Sequence, residues 1–132
     1  MSQSDVDSLR VRYEAVSHGD RAAIYRDVQP GFTLKTPDSF PEAGTFHGAA
    51  DATRFVEGFW APFEEVNIEP QEFLESGDQI VVFLHVRLRH NGSTAFMSLR
   101  VANLWTMRDG KPVRCEWFPN REQALEAAGL SK

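Results

Sequence analysis

The sequence predicts an α+β fold in which a curved antiparallel sheet wraps around N-terminal helices, as a cone with a deep apolar pocket. Two observations support this prediction. Helical patterns precede a run of strands, and the strands within residues 79–118 have one apolar and one mixed face. Helices packed on the apolar face would leave the open end of the cone free to hold a small molecule.

The strand Gln79–Arg89 alternates between these two faces, which is typical of a half-buried strand. Asn91 and Gly92 follow it and tolerate the positive φ angles of a tight type I′ turn. That turn would set Leu88 opposite Ala95, and the apolar face would continue along the next strand.

A second turn is predicted at residues 108–110, where the loop has either two or three residues. Asp109 and Gly110 suit the two-residue loop, and Gly110 in the left-handed region as a bulge suits the longer one. We favour three residues, because that register puts Val113, Cys115 and Trp117 on the apolar face. The other register would bury two charged residues, at a cost of several kcal/mol.

Three helices are predicted before the main strands. The apolar stripe of the first is Val6, Leu9, Tyr13 and Val16. This helix ends at Gly19, and Asp20 is expected to cap a short second helix, Arg21–Asp27. The third begins at Gly48, stops at Pro62 and carries a broad aromatic stripe that must cover the sheet.

The remaining elements follow from local signals. Phe32–Thr36 alternates weakly and predicts a short strand, and an irregular loop leads from there to Gly44. Val66–Leu74 predicts another strand, where Pro70 indicates an edge position or a bulge. Asn120 can cap a last helix, with a glutamine three residues on as in a capping box.

Composition limits the classes of function. The length of 132 residues predicts a single domain, residues 1–132. A net charge of −5 and a pI of about 5.3 argue against nucleic acid and anionic membranes as partners. The polar, acidic start predicts no signal peptide, and one cysteine predicts a reducing, cytoplasmic location. No histidine and carboxylate spacing suggests a metal site.

Asn103 is the one polar residue in the middle of the apolar face, between Val101 and Trp105. A buried amide must find hydrogen-bond partners. Two interpretations stay equally open. The amide bonds to neighbouring backbone or buried water, or it points into a cavity and meets a ligand.

Large apolar side chains are expected to line the pocket. They are Phe55, Val56, Phe59, Trp60, Met97, Val101, Trp105, Cys115 and Trp117. The mixed face is interpreted as a homodimer interface, because aromatic residues among arginines suit an interface core. Its residues are Phe83, His85, Phe96 and Arg100.

Four stretches carry a family resemblance that runs from about Leu9 to Leu130. They are Tyr13 with His18–Asp20, Gly44–Gly48, Val101–Lys111 and Asn120–Leu130. In this order they resemble the SnoaL-like families of the nuclear-transport-factor-2-like superfamily, whose relatives include ketosteroid isomerases, polyketide cyclases and limonene-epoxide hydrolases. The resemblance implies a cone-shaped barrel with a deep pocket, usually a homodimer through the outer sheet face. Such a fold hosts many reactions and does not define one.

The resemblance to the isomerases implies candidate catalytic residues. Tyr13 is similar in place to the oxyanion tyrosine, and Asn103 to the oxyanion aspartate; an amide still donates a hydrogen bond. The base position is Thr36, which cannot act as a carboxylate. Asp38 lies two residues on and is the candidate base, although a turn-forming role is favoured for it. The carboxylate that cyclases use is replaced by residues such as Cys115.

Two functions are therefore expected. The first is a cofactor-free isomerase, cyclase or hydratase that acts on a small hydrophobic carbonyl compound, with Tyr13 and Asn103 on the oxyanion and Asp38 moving the proton. The second is a binding protein with the same pocket and no turnover. A protein-interaction module that uses the mixed face ranks third.

Overall fold

The computed structural model describes residues 3–40 and 43–130. Its elements are α1 (Gln3–Ser17), a 3₁₀ helix (Arg21–Tyr25), β1 (Thr33–Thr36), β2 (Gly44–His47), α2 (Gly48–Trp60), β3 (Phe63–Ser76), β4 (Gln79–His90), β5 (Met97–Arg108), β6 (Lys111–Phe118) and α3 (Arg121–Ala127). Pro41 and Glu42 of the predicted irregular loop lie outside the described residues. None of the helices within the described ranges is long and apolar enough to cross a membrane.

The six strands form one curved, open sheet in the order β2-β1-β6-β5-β4-β3. This confirms the predicted α+β fold with a curved sheet. The prediction of a wholly antiparallel sheet is wrong at one pair, because β1 runs parallel to β6 with Leu34 beside Cys115. The chain between β1 and β6 contains most of the sheet, so its length permits either direction. Strand β2 was missed, since it is a short, largely exposed edge with no alternating pattern.

Helices cover both faces of the sheet. The stripe of α1 is buried as predicted, and α1, the 3₁₀ helix and α2 pack on the inner face. In contrast, α3 lies on the outer face, where Ala124 and Ala128 pack against Val81 and Leu104. The N-terminal helices lie inside the curved sheet as predicted, whereas the last helix, for which no face was predicted, lies outside it. The outer face is apolar enough at these positions to bury a short helix.

The first hairpin has a different register from the predicted one. Leu88 pairs with Met97 instead of Ala95, a shift of two residues. The turn is not type I′, because Gly92 has a positive φ of 78° and Asn91 does not share it. Since side chains alternate with a period of two, the shift leaves the predicted apolar face intact.

The second hairpin has the two-residue loop that was not favoured. Asp109 and Gly110 both have positive φ, at 52° and 80°, and Arg108 pairs with Lys111. An irregularity after Thr106 then adds one residue to β6 and restores the face. Cys115 and Trp117 consequently lie opposite inner-face partners on β5, as predicted, through a bulge instead of a longer loop.

Local signals predicted the cap of α3 and the position of Pro70 correctly, but not the extent or the cap of the second helix. Asn120 accepts the Gln123 amide at 2.9 Å, which confirms the predicted cap of α3. Pro70 lies on edge strand β3 beside a register shift, as predicted. The second helix is 3₁₀ and shorter than predicted, and Asp20 does not cap it. Its carboxylate pairs instead with Arg26 at 2.9 Å, because an arginine competes strongly for that anion.

Candidate functional site

An apolar cavity of about 80 Å³ lies between the helices and the inner face of the sheet. Its aromatic lining consists of Tyr13, Tyr25, Phe40, Phe59, Trp60, Trp117 and Phe118. Aliphatic side chains of β3, β4 and β5 complete the wall, and Leu99, which is 43% exposed, leads to solvent. The lining contains Asn103 but, within the described chain, no Asp, Glu, His, Lys or Arg.

The structure brings only part of the predicted lining together. Phe59, Trp60, Val101 and Trp117 line the cavity. Phe55, Val56, Trp105 and Cys115 lie in the core behind it, and Met97 is 42% exposed farther along β5. Alternation identifies the face on which a side chain lies, but not how far the helices reach along that face.

Tyr13 is the centre of a buried hydrogen-bond chain at one side of the cavity. Its hydroxyl accepts the indole N–H of Trp105 at 2.7 Å and donates to Oδ1 of Asn103 at 2.6 Å. The amide Nδ2 of Asn103 in turn donates to the carbonyl of Ala102 at 3.2 Å. Asn103 therefore has the protein partners of the first interpretation, and it also lines the cavity. Its contact with a ligand stays a prediction.

Tyr25 is the centre of a second chain that the sequence reasoning missed. Its hydroxyl accepts the indole N–H of Trp117 at 2.7 Å, and its acceptor is the Cys115 sulfur at 3.4 Å. Tyrosine and tryptophan are separated by 92 residues in both chains. No local pattern in the sequence identifies Tyr25, because its partners lie about 90 residues farther along the chain.

Strand register explains why the two chains lie side by side. Asn103 pairs with Trp117, and Trp105 pairs with Cys115, across β5 and β6. These four side chains form a block on the inner face, with the two tryptophans on one diagonal. Each tyrosine reaches one tryptophan and the residue two positions before it on the same strand.

Burial keeps the side chains of both hydrogen-bond chains uncharged. It raises the pKa of Tyr13 and of Tyr25 well above the ordinary value of 10.0, because a phenolate would be desolvated. Burial likewise raises the pKa of the Cys115 thiol. Around neutral pH both phenols therefore carry their protons and can act as hydrogen-bond donors.

Arg12 positions the segment that carries Tyr25. Its guanidinium donates to the carbonyl of Ile24 at 3.1 Å, to that of Asp27 at 2.9 Å, and to that of Arg26. Desolvation lowers the pKa of Arg12, and the Asp27 carboxylate partly opposes this. Three carbonyls held by one planar cation tie the end of the 3₁₀ helix to α1.

Asp38 lies outside this cavity. It is exposed on the loop after β1 and borders a separate surface depression with Lys35 and Glu116. Thr36, at the base position implied by the resemblance, is 1% exposed, and its hydroxyl accepts the Gly44 amide at 3.0 Å. The catalytic role of Asp38 stays a prediction.

The predicted homodimer face is partly covered within the monomer. Phe83 is 7% exposed and lies under the guanidinium of Arg121, at 4.0 Å. Phe96 is 44% exposed, and Arg87 lies 4.3 Å from its ring centroid. His85 is half-buried and Arg100 is exposed. The homodimer through this face stays a prediction.

No group of three or more His, Cys, Asp or Glu side chains in residues 3–40 and 43–130 is placed to hold a metal ion. The described lining of the cavity offers apolar contact, aromatic stacking and neutral hydrogen bonding.

Solved structures share this fold over nearly the whole chain. TerC, crystallised with polyporic acid, has a TM-score of 0.76 and 23% identity, covering 96% of this chain and 99% of its own. An NTF2-like protein of unknown function from Burkholderia pseudomallei has a TM-score of 0.76 and 25% identity, covering 98% of both chains. A structure from Jannaschia sp. CCS1, assigned as a SnoaL-like polyketide cyclase, has a TM-score of 0.73 and 18% identity, covering 100% of this chain and 97% of its own.

No curated protein shows significant similarity to the sequence. The family model described as the SnoaL-like domain matches residues 9–115, which is most of the chain. Together with the shared fold, this match means that the chain belongs to the SnoaL-like domain family.

Proposed function

We propose that this protein binds a small, flat and mainly apolar molecule that carries a hydrogen-bonding oxygen. The observation that carries the proposal is the cavity itself, which combines aromatic walls with a single amide, that of Asn103. Sites of this composition take affinity from apolar burial and orientation from a few polar groups. We also propose a cytoplasmic location, because the single cysteine is free and buried.

The amide of Asn103 supports binding of an oxygen atom. Its Nδ2 has two protons, and Ala102 accepts one of them. The second is the available donor for a ligand oxygen. Half a turn of the amide would release the Tyr13 proton towards a ligand, at the cost of setting Oδ1 of Asn103 against the carbonyl of Ala102.

The absence of charged side chains from the described lining favours a neutral ligand. A buried charge without a partner costs far more than the hydrogen bonds in this cavity return. It also favours binding over acid–base turnover, since no carboxylate or imidazole of residues 3–40 and 43–130 lines the cavity. The volume of about 80 Å³ is smaller than that of an engineered cavity that binds benzene, roughly 150 Å³. A ring therefore enters only in part, and the rest of the ligand leaves past Leu99.

A cofactor-free isomerase, cyclase or hydratase is the second candidate. One observation favours it: Asp38 lies two residues before Phe40, whose ring lines the cavity and stacks on Phe59 at 5.9 Å. In this proposal the Asp38 carboxylate takes a proton from the carbon beside a carbonyl. The electron pair moves to the carbonyl oxygen, where Tyr13 and Asn103 stabilise the resulting oxyanion.

A thermal-shift screen against small hydrophobic ketones, lactones and epoxides tests the binding proposal. The melting temperature of the wild-type protein should rise by several degrees with a true ligand, because binding stabilises the folded state by mass action. Asn103→Leu should lose most of that gain while remaining folded. If no compound in the panel raises the melting temperature, the cavity is not a binding site of this kind.

Incubation of a bound compound with the protein separates the two candidates. Asp38→Asn should bind as well as wild type, and the exposed Asp78→Asn serves as its matched control. Unchanged ligand after long incubation supports binding alone. Turnover that Asp38→Asn loses and Asp78→Asn keeps would establish the enzyme instead.

A further inference from the structure

The hydroxyl proton of Tyr25 has the weakest acceptor in the cavity region. Its partner is the Cys115 sulfur at 3.4 Å, whereas the proton of Tyr13 has an amide oxygen at 2.6 Å. A thiol sulfur is a poor acceptor compared with an amide oxygen. The two tyrosines are otherwise matched, because each accepts an indole N–H at 2.7 Å.

This difference decides which phenol can bind a ligand without rearrangement. A ligand oxygen that reached Tyr13 would have to displace a short bond to Asn103. An oxygen that reached Tyr25 would displace only the weak contact with sulfur. Burial keeps the Cys115 thiol protonated by raising its pKa, so the sulfur does not become the strong acceptor that a thiolate would be.

The Asn103 amide and the Tyr25 hydroxyl belong to neighbouring hydrogen-bond chains. The Tyr13 and Tyr25 rings both contact Trp105, with centroids 6.2 and 5.7 Å away. Asn103 pairs directly with Trp117, which holds the Tyr25 hydroxyl. Because Asn103 and Tyr25 both line the cavity, one ligand can contact both side chains.

We infer that Tyr25 is a second ligand-binding residue, and that the preferred ligand is a ring compound with two hydrogen-bonding oxygens. One oxygen accepts from Asn103, and the other accepts from the Tyr25 hydroxyl that leaves Cys115. This inference rests on the proposed function, since it needs the cavity to be a ligand site.

Two matched compounds test it. α-Tetralone has one carbonyl oxygen, and its derivative with a hydroxyl on the ring carbon opposite the carbonyl has two. Isothermal titration with wild type should give about fivefold tighter binding of the second compound, the usual effect of one neutral hydrogen bond. In Tyr25→Phe that preference should vanish, with little change for α-tetralone. A merely structural effect of the substitution would weaken both compounds equally.

Cys115→Ala is the second variant, and it keeps Tyr25. Loss of the sulfur leaves the phenol proton without its acceptor, so the preference for the two-oxygen compound should increase. The S–H stretching band gives an independent readout in wild type, because the chain has a single cysteine. That band should shift when the two-oxygen compound binds and stay in place with α-tetralone.

The outcomes separate the inference from the function on which it rests. Equal affinities for the two compounds, or equal weakening of both in Tyr25→Phe, would overturn the role of Tyr25 and leave the binding proposal standing. Failure of both compounds to bind wild type would overturn the two together. A preference lost in Tyr25→Phe and enlarged in Cys115→Ala supports the assignment.

Discussion

Tyr13→Phe is expected to lower the free energy of unfolding by about 2–4 kcal/mol, although it removes a single oxygen atom. The hydroxyl holds the Trp105 indole N–H and Oδ1 of Asn103, and these side chains are 0% and 6% exposed. Phenylalanine leaves a buried donor and a buried acceptor without partners. Each unsatisfied group costs about 1–3 kcal/mol.

Tyr25→Phe is the matched control, because it removes the same atom from the parallel chain. Its freed donor belongs to Trp117, which is only half-buried and lines the cavity, so water can replace the lost bond. The other lost contact is the weak one to the Cys115 sulfur. We expect a loss of about 1 kcal/mol.

Urea unfolding followed by far-ultraviolet circular dichroism measures both losses, with unchanged m-values showing that the unfolded states are comparable. A double-mutant cycle with Asn103→Leu adds a second check. The pair Tyr13→Phe and Asn103→Leu should cost about 1–2 kcal/mol less than the sum of the single changes, because it removes donor and acceptor together. Equal losses for the two tyrosines, or strict additivity in the cycle, would refute the reasoning.

Two further predictions concern alkaline pH and the second turn. The pKa values of Cys115, Tyr13 and Tyr25 are raised from 9.0, 10.0 and 10.0, so the unfolded chain releases these protons first. The free energy of unfolding should keep its full value below pH 9 and fall above it, by up to about 1.4 kcal/mol per pH unit for each group. Urea titrations at several pH values measure this, and Cys115→Ala should delay the onset of the fall to pH 10. A free energy of unfolding that stays constant up to pH 11 would contradict the prediction. Gly110→Ala should lower the free energy of unfolding by about 1 kcal/mol, because residue 110 has a φ of 80°. Gly58→Ala lies within α2 with nothing near its added Cβ, so it should raise the free energy of unfolding by about 0.5–1 kcal/mol. Melting temperatures that shift in the same direction for both variants would be inconsistent with this.

Most helices and strands could be predicted, because the sequence signals for them are local. The stripe that ends in Val16 needs only the 3.6-residue period of a helix, and Asn120 needs only the three residues after it to act as a cap. The positive φ at Gly110 likewise follows from residue type. Strand β2 has no such local signal and was missed.

Part of the site could also be predicted. Alternation along β5 placed Asn103 on the inner face, and the stripe of α1 directed Tyr13 towards the same side. Their hydrogen bond joins residues 90 positions apart, so its existence depended on the packing of α1 across the sheet.

The sequence by itself determined which residues are helical, which face of each central strand is apolar, and that one amide interrupts that face. Only the tertiary structure decided which side chains share the cavity. The bulge in β6, the parallel pairing of β1 and the course of the 3₁₀ helix together bring Tyr25, Trp117 and Cys115 into contact. The physical reason is that hydrogen-bond partners across strands depend on register, and register is chosen by the packing of the whole sheet against its helices.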